Sequence, residues 1–439
     1  MDPDEVVRRR LAAQLLRGPG LASPEDVVWH LLAVQAQEFP YARWSLAQRT
    51  RLAGADPVTA GDVEQAVAEG RILRTHILRP TWHFVHRDDL RWLMALSAPR
   101  LHQGNDTTYR RVGIDAATAA RSTQLLADAV RGGRHLTRDQ LAARLQDAGF
   151  EAVGLRLAYL IMYAEVSSVL VSGAPVRSPG GALKQTYALF DERVPPGPAT
   201  PITRDEALGR LARRYFTSRG PATVKDCAGW SGLTATDVRR GVQAAQEADP
   251  DALAAMVVDG VAYYFDGGTG RAEAGTGGTG AENGRAGGAE EGAGGTGAEN
   301  GRAGGTEEGA GRARTEAGTA ASLTAPVPRI DLIQCYDEYI MGYFPTRHYL
   351  GGTAPAYPTA GEPLHVVLLD GRMAGCWRHT MFPGRCELDI RLSGAGDLSD
   401  PARARAVEGA VQDAVDRYGS FLGLPTVQVR SGAKLEGHI

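Results

Sequence analysis

Two glutamines, Gln35 and Gln37, close an apolar run in the segment LLAVQAQEFPYARWSLAQR at residues 31–49. An amide does not titrate, so neither is a general base in the usual sense. What each offers is a carbonyl oxygen that accepts hydrogen bonds and a dipole that can face positive charge. Arg43, Trp44 and Arg49 follow in the same segment and can grip phosphate or stack on a base. Arg79, Thr81 and His83 alternate in RPTWHFV at 79–85, so on a strand they share one face. The competing structural reading makes Gln35 a hydrogen-bonded core amide, Gln37 a surface residue, Trp44 a core anchor and 79–85 a half-exposed strand.

For the two amides to act on one ligand they must point to one place. Ser23-Pro24-Glu25-Asp26 predicts a helix start, with Ser23 as cap, Pro24 in the first turn and the acids at the positive end of the dipole. Val27, Val28, Leu31, Leu32 and Val34 extend an apolar face and predict a helix over 24–36. On such a helix Gln35 joins the core-facing stripe and Gln37 lies about 200° further round. Side chains two apart on a helix do not share a face. The amides converge only if the helix ends between them. Pro40 disfavours helical geometry at Phe39 and predicts an end near there.

One pattern recurs along the chain. Helices are expected over 3–17, 24–36 and 58–69, followed by a basic, β-leaning stretch at 71–85. They recur over 116–131, 137–148 and 154–168, before strands in VSSVLVSGAPV and QTYALF, and Thr137 to Gln140 resembles a capping box. They recur again over 204–220, 223–233 and 234–246, before a strand, an Asp-Gly turn and a strand at 253–266. Three helices and a hairpin make the winged-helix plan. The expected architecture is mainly α with small β. It comprises three tandem winged-helix modules (1–112, 113–199 and 200–265) and a C-terminal α+β domain at 328–439. Tandem modules of this kind suit one long ligand, duplex DNA.

Residues 266–325 are mostly Gly, Ala, Thr, Glu and Arg, and GTGAENGRAGG occurs at 278–288 and again at 295–305. With no aromatic residue and almost no large aliphatic one, the segment cannot bury enough apolar area to offset chain entropy. Residues 266–327 are therefore expected to be a disordered insertion. Deleting 266–325 should leave the melting temperature nearly unchanged, and a large drop on thermal denaturation would show that the segment packs. The segment carries nine acids and five arginines, a net of −4 within a whole-chain −3, which leaves +1 for the remainder. Residues 71–111 hold eight arginines against three acids, so a local basic surface is expected despite the acidic total. No apolar run approaches a membrane span. The N-terminus lacks a signal-like apolar region, and a cytoplasmic location is expected. Cys227, Cys335, Cys376 and Cys386 show no metal-ligand spacing, which predicts reduced thiols and no metal.

Several stretches carry a resemblance, in one order over nearly the whole chain outside the insertion. They are LLAVQAQEFPYARWSLAQR, ILRTHILRPTWHFV, RYFTSRGPATVKDCAGWSGL, CYDEYIMGYFPTR and LLDGRMAGCWRHT. Together they resemble the AlkZ-like winged-helix DNA glycosylases. Gln35-Ala36-Gln37 matches the family's Gln-aliphatic-Gln motif, where a sister branch has aspartate at the second position. The resemblance implies a monofunctional DNA glycosylase without metal or cofactor. It would act as a monomer on double-stranded DNA carrying N7-alkylguanine, including bulky adducts or interstrand crosslinks. Alkylation at N7 makes the base cationic, so it leaves as a neutral group without a strong acid. Gln35 and Gln37 would then hold a water below C1′ and face a sugar of oxocarbenium character. Asp337, Tyr339, Tyr343 and Arg347 match a C-terminal motif and are expected to buttress the site. The alternative is a non-catalytic winged-helix DNA-binding protein, either a transcriptional regulator or a lesion-binding resistance protein. Such a protein would show sequence-specific affinity rather than lesion-dependent base release.

Overall fold

Ser23 accepts a hydrogen bond from the Asp26 amide at 3.1 Å and Pro24 opens the helix, so the predicted start holds. In the computed structural model, helix α1 spans Pro3–Ala13 and α2 spans Pro24–Leu31. The structure describes residues 2–52, 57–178, 183–268, 327–351, 365–393 and 399–424, and the backbone of 427–430. Helix α2 stops well short of the expected 36. Leu32 adopts φ +66°, and the chain leaves as strand β1, Ala33–Gln35. Every residue from Leu31 to Ala36 is buried. A short, fully buried apolar run reads alike as helix or strand, which is why periodicity did not separate them.

The chain continues with α3 (Phe39–Ala47), α4 (Ala60–Ala68), β2 (Ile72–His76) and β3 (Trp82–His86). A long helix, α5 (Arg87–Arg111), follows; it is polar over much of its length and contains Pro99, so it gave no helical signal in the sequence. Next come α6 (Ala116–Val130), β4 (Leu136–Thr137), α7 (Arg138–Asp147), α8 (Gly154–Val166), β5 (Leu170–Ser172), β6 (Val176–Arg177), β7 (Leu183–Lys184) and β8 (Thr186–Leu189). The third stretch holds α9 (Phe190–Arg193), α10 (Arg204–Arg219), β9 (Ala222–Thr223), α11 (Val224–Ser231), α12 (Ala235–Ala248), β10 (Leu253–Val258) and β11 (Val261–Asp266). The protein is mainly helical with small sheets. The three-stranded sheets run β1-β3-β2, β4-β8-β5 and β10-β11-β9, with the last strand central each time. Capping boxes start α4, α7, α10, α11 and α12, the second of them at the predicted Thr137 and Gln140. Asp259 and Gly260 both take positive φ and close the predicted hairpin.

The C-terminal part forms a five-stranded sheet in sequence order, β12 (Ile330–Ile333), β13 (His365–Leu369), β14 (Arg372–Phe382), β15 (Arg385–Leu392) and β16 (Val427–Arg430). The helix Pro401–Leu422 packs with it. This unit does not close a core of its own. Leu332, Val367, Trp377, Tyr418 and Phe421 share one apolar cluster with Val28, Leu31, Trp44 and Phe84. Val7 and Leu11 of α1 pack with Ile333, Tyr339 and Ile340. The expected insertion falls almost wholly outside the described residues.

Candidate active site

Strand β1 pairs with β3, and β3 with β2, so Gln35, His83 and Thr75 stand in one cross-strand row. The row before it on the same face is Ala33, Val85 and Leu73, which belongs to an apolar core. Val34, Phe84 and Ile72 serve a second core on the opposite face. The sheet is therefore sandwiched, and the polar row lies where the apolar lining stops. The ladder continues past Gln35 through a 2.7 Å bond from the Ala36 amide to the Trp82 carbonyl. On extended chain, residues two apart share a face. Gln37 itself lies beyond β1, in the bend that leads into α3, so the strand alone does not set its side.

Their environments differ. Gln37 is exposed, and its Oε1 lies 3.5 Å from the Trp82 amide. Gln35 is only 2% exposed, and its Oε1 accepts from Arg79 Nη2 at 2.7 Å. A cleft of about 410 Å³ opens beside Gln37, lined also by Glu38, Phe39, Tyr41, Arg74 and Gln185. Gln35 is not on its wall, so the pair does not open into a single pocket. Arg74 fixes the backbone of the motif. Its Nε donates to the Ala36 carbonyl at 2.9 Å and its Nη2 to the Gln37 carbonyl at 3.3 Å, while Nη1 contacts Gln185 Oε1. Burial lowers its pKa to about 10, so the guanidinium stays charged at neutral pH.

Beneath Gln35, burial pulls Arg79 below its ordinary pKa, partly offset by Glu338. His83 is fully buried, and burial with the nearby Arg79 charge pulls it well below 6.5. It is neutral. His83 Nδ1 lies 3.0 Å from the Thr81 carbonyl, so Nδ1 carries the proton and Nε2 is a bare acceptor.

Buried ion pairs hold β1 from behind. Glu338 Oε1 accepts from the Gln35 amide at 2.8 Å. Its Oε2 accepts from Arg219 Nη2 at 2.6 Å and from Trp230 Nε1 at 2.7 Å. Arg219 also donates to the carbonyls of Leu31 and Ala33, bracketing the helix-to-strand break. Asp337 pairs with Arg49, Tyr343 donates to the Arg219 carbonyl at 2.8 Å, and Tyr339 donates to the Gly371 carbonyl at 3.0 Å. Arg347 bonds the Ile340 carbonyl. From sequence, Glu338 and Arg219 carry no buttressing role. The available signal was the charge itself, an acid inside CYDEYIMG and an arginine ending an amphipathic helix.

Of the residues expected to meet DNA, Arg79, Thr81 and His83 gather around Gln35, whereas Arg43, Trp44 and Arg49 point inward. Arg43 pairs with Glu64 and is 8% exposed. Trp44 donates to the Leu332 carbonyl at 2.6 Å and meets Tyr418 edge-on. Arg49 spends all five N–H groups inside the fold, on the Gln14 carbonyl and Oε1, the Ser45 carbonyl and both Asp337 oxygens. No donor remains for phosphate. Arg49→Met should therefore leave the salt dependence of DNA binding unchanged, whatever it does to stability. A slope reduced by about one in a salt titration would place Arg49 on phosphate after all.

Among the described residues, no group of three His, Cys, Asp or Glu is placed to hold a metal, and no helix is long and apolar enough to cross a membrane. No curated protein matches the chain. Among solved structures, the Streptomyces sahachiroi DNA glycosylase AlkZ shares the fold with a TM-score of 0.65 at 20% identity, covering 98% of this chain and 99% of that one. The AlkZ-like DNA glycosylase family profile matches residues 28–279 and 296–421, a span that takes in the Gln35-Ala36-Gln37 strand, the Arg79–His83 turn and the Glu338 buttress. The chain belongs to the AlkZ-like DNA glycosylase family.

Proposed function

We propose that this protein is a monofunctional glycosylase that hydrolyses the N-glycosidic bond of N7-alkylguanine in duplex DNA, as a cytoplasmic monomer. One observation carries the reading: the chain around β1 holds Gln37 open to a cleft, with Gln35 buried two residues before it on Arg79. The cationic base departs as a neutral group, taking the C1′–N9 electron pair. The chain must position a water and stabilise a positive sugar, which amide dipoles do without titrating. Gln37 supplies the exposed carbonyl nearest the sugar, and Gln35 completes the dipole pair from behind. The cleft is of ordinary ligand size and has Phe39 on its wall, so a displaced base with a bulky N7 substituent can lie there. We read the three repeated sheet-and-helix units as winged-helix modules that track the duplex. Arg79 and Thr81, on the turn between β2 and β3, lie at the approach to the strand.

The test is incubation with duplexes carrying one N7-methylguanine or one N7-linked crosslink. Free modified base should appear above the spontaneous rate, leaving abasic sites that break only after alkali. Absence of base release from both substrates, with sequence-selective binding instead, would overturn the reading in favour of a regulator.

A further inference from the structure

Four side-chain atoms around Gln35 are buried without a hydrogen-bond partner among the described residues: Thr75 Oγ1, Arg79 Nη1, Thr81 Oγ1 and His83 Nε2. Folded proteins leave few such atoms, and each is costly. Here they fall in one neighbourhood. His83 and Thr75 are in register with Gln35, the Thr81 backbone carbonyl is bonded to His83 Nδ1, and Arg79 is bonded to Gln35. We propose that this cluster of unpartnered polar atoms binds the nucleophilic water of the glycosylase reaction, with His83 Nε2 accepting its proton. The inference rests on the glycosylase reading above and adds the residues that supply and deprotonate the nucleophile.

The donor and acceptor set fits water. Arg79 Nη1 can only donate, His83 Nε2 can only accept, and each threonine hydroxyl does either. A water molecule takes the Arg79 N–H on one lone pair and gives its hydrogens to His83 and a threonine oxygen. Its second lone pair is left for C1′. Such a site meets the two to four polar partners that a buried water needs. An anion would face the bare imidazole nitrogen, and an apolar group would leave all four atoms unpaired.

The amides raise a question that His83 answers. Neither glutamine can take a proton, yet attack by water releases one. The water oxygen forms its bond to C1′ while the C1′–N9 pair moves onto the base and neutralises it. The proton passes to His83 Nε2, giving imidazolium, which returns it to solvent after the abasic product forms. The basicity of His83 is reduced by burial and by Arg79. That is no obstacle, because the water becomes strongly acidic only as its oxygen bonds to C1′.

The test compares single-turnover release of N7-methylguanine, duplex affinity and melting temperature for three proteins. His83→Asn keeps a donor toward the Thr81 carbonyl and deletes Nε2. Release should slow by about a hundredfold, the lower range for a lost general base, at unchanged affinity. Thr75→Val deletes one hydroxyl at nearly constant shape, and should slow release by about tenfold, the scale of one hydrogen bond to the reacting water. If the row is merely a dry part of the core, Thr75→Val will melt higher than the parent and release base as fast. That result overturns the proposal while leaving the glycosylase reading intact. Should His83→Asn fail to fold, Thr75→Val decides alone. A parent protein that releases no base overturns both readings.

Discussion

Replacing Gln37 by alanine is expected to slow base release by about two to three powers of ten, the effect of losing one preorganised dipole from a transition state. Duplex affinity should barely move. Gln37 is neutral, and phosphate contacts by charged groups supply most of the affinity for DNA. Its side chain is exposed and bonded only weakly, to the Trp82 amide at 3.5 Å, so truncation leaves no buried group unpaired. The fold should therefore be intact, and the loss should appear in the single-turnover rate at saturating enzyme. Gln37→Asp is a sharper probe. It shortens the side chain by one methylene, keeps an acceptor oxygen and adds negative charge beside the developing oxocarbenium ion. It should retain release of N7-methylguanine. A Gln37→Ala protein as fast as the parent would remove the amide pair from the mechanism.

Replacing Glu338 by alanine is expected to cost about 3–5 kcal/mol of stability, the usual penalty for stripping one partner from a buried ion pair. Both Glu338 and Arg219 are completely buried. Alanine would leave the Arg219 cation, the Trp230 indole N–H and the Gln35 amide without their acceptor. Chemical denaturation reads the loss directly. Because that backbone amide belongs to the strand that carries the proposed site, the surviving folded fraction should also release base more slowly. Replacing both partners, with Glu338→Leu and Arg219→Met, should cost less than Glu338→Ala alone, since no uncompensated charge remains. A single variant as stable as the parent would mean that the pair does not anchor β1.

The local features were readable in the sequence because short-range chemistry sets them. Ser23 and Pro24 start α2, Thr137 and Gln140 form their capping box, and Asp259-Gly260 turns its hairpin, each through contacts within a few residues. Of the alternating Arg79, Thr81 and His83 only His83 lies on the strand; Arg79 and Thr81 stand on the turn before it, and bonds to Gln35 and His83 rather than a strand period bring them close. Tertiary structure decided whatever depends on a distant partner. The Gln35 amide meets Glu338 across 303 residues, and Arg219 meets the same carboxylate across 119. Nothing local distinguishes Arg49, sealed on Asp337, from an arginine waiting for phosphate. The break at Leu32 has the same origin. Residues 31–36 are apolar enough for either a helix or a strand, and the β3 ladder with the Arg219 bonds to the Leu31 and Ala33 carbonyls selects the strand. That selection, made by residues far away in the chain, takes Gln35 and Gln37 off the helix on which they would lie on different faces.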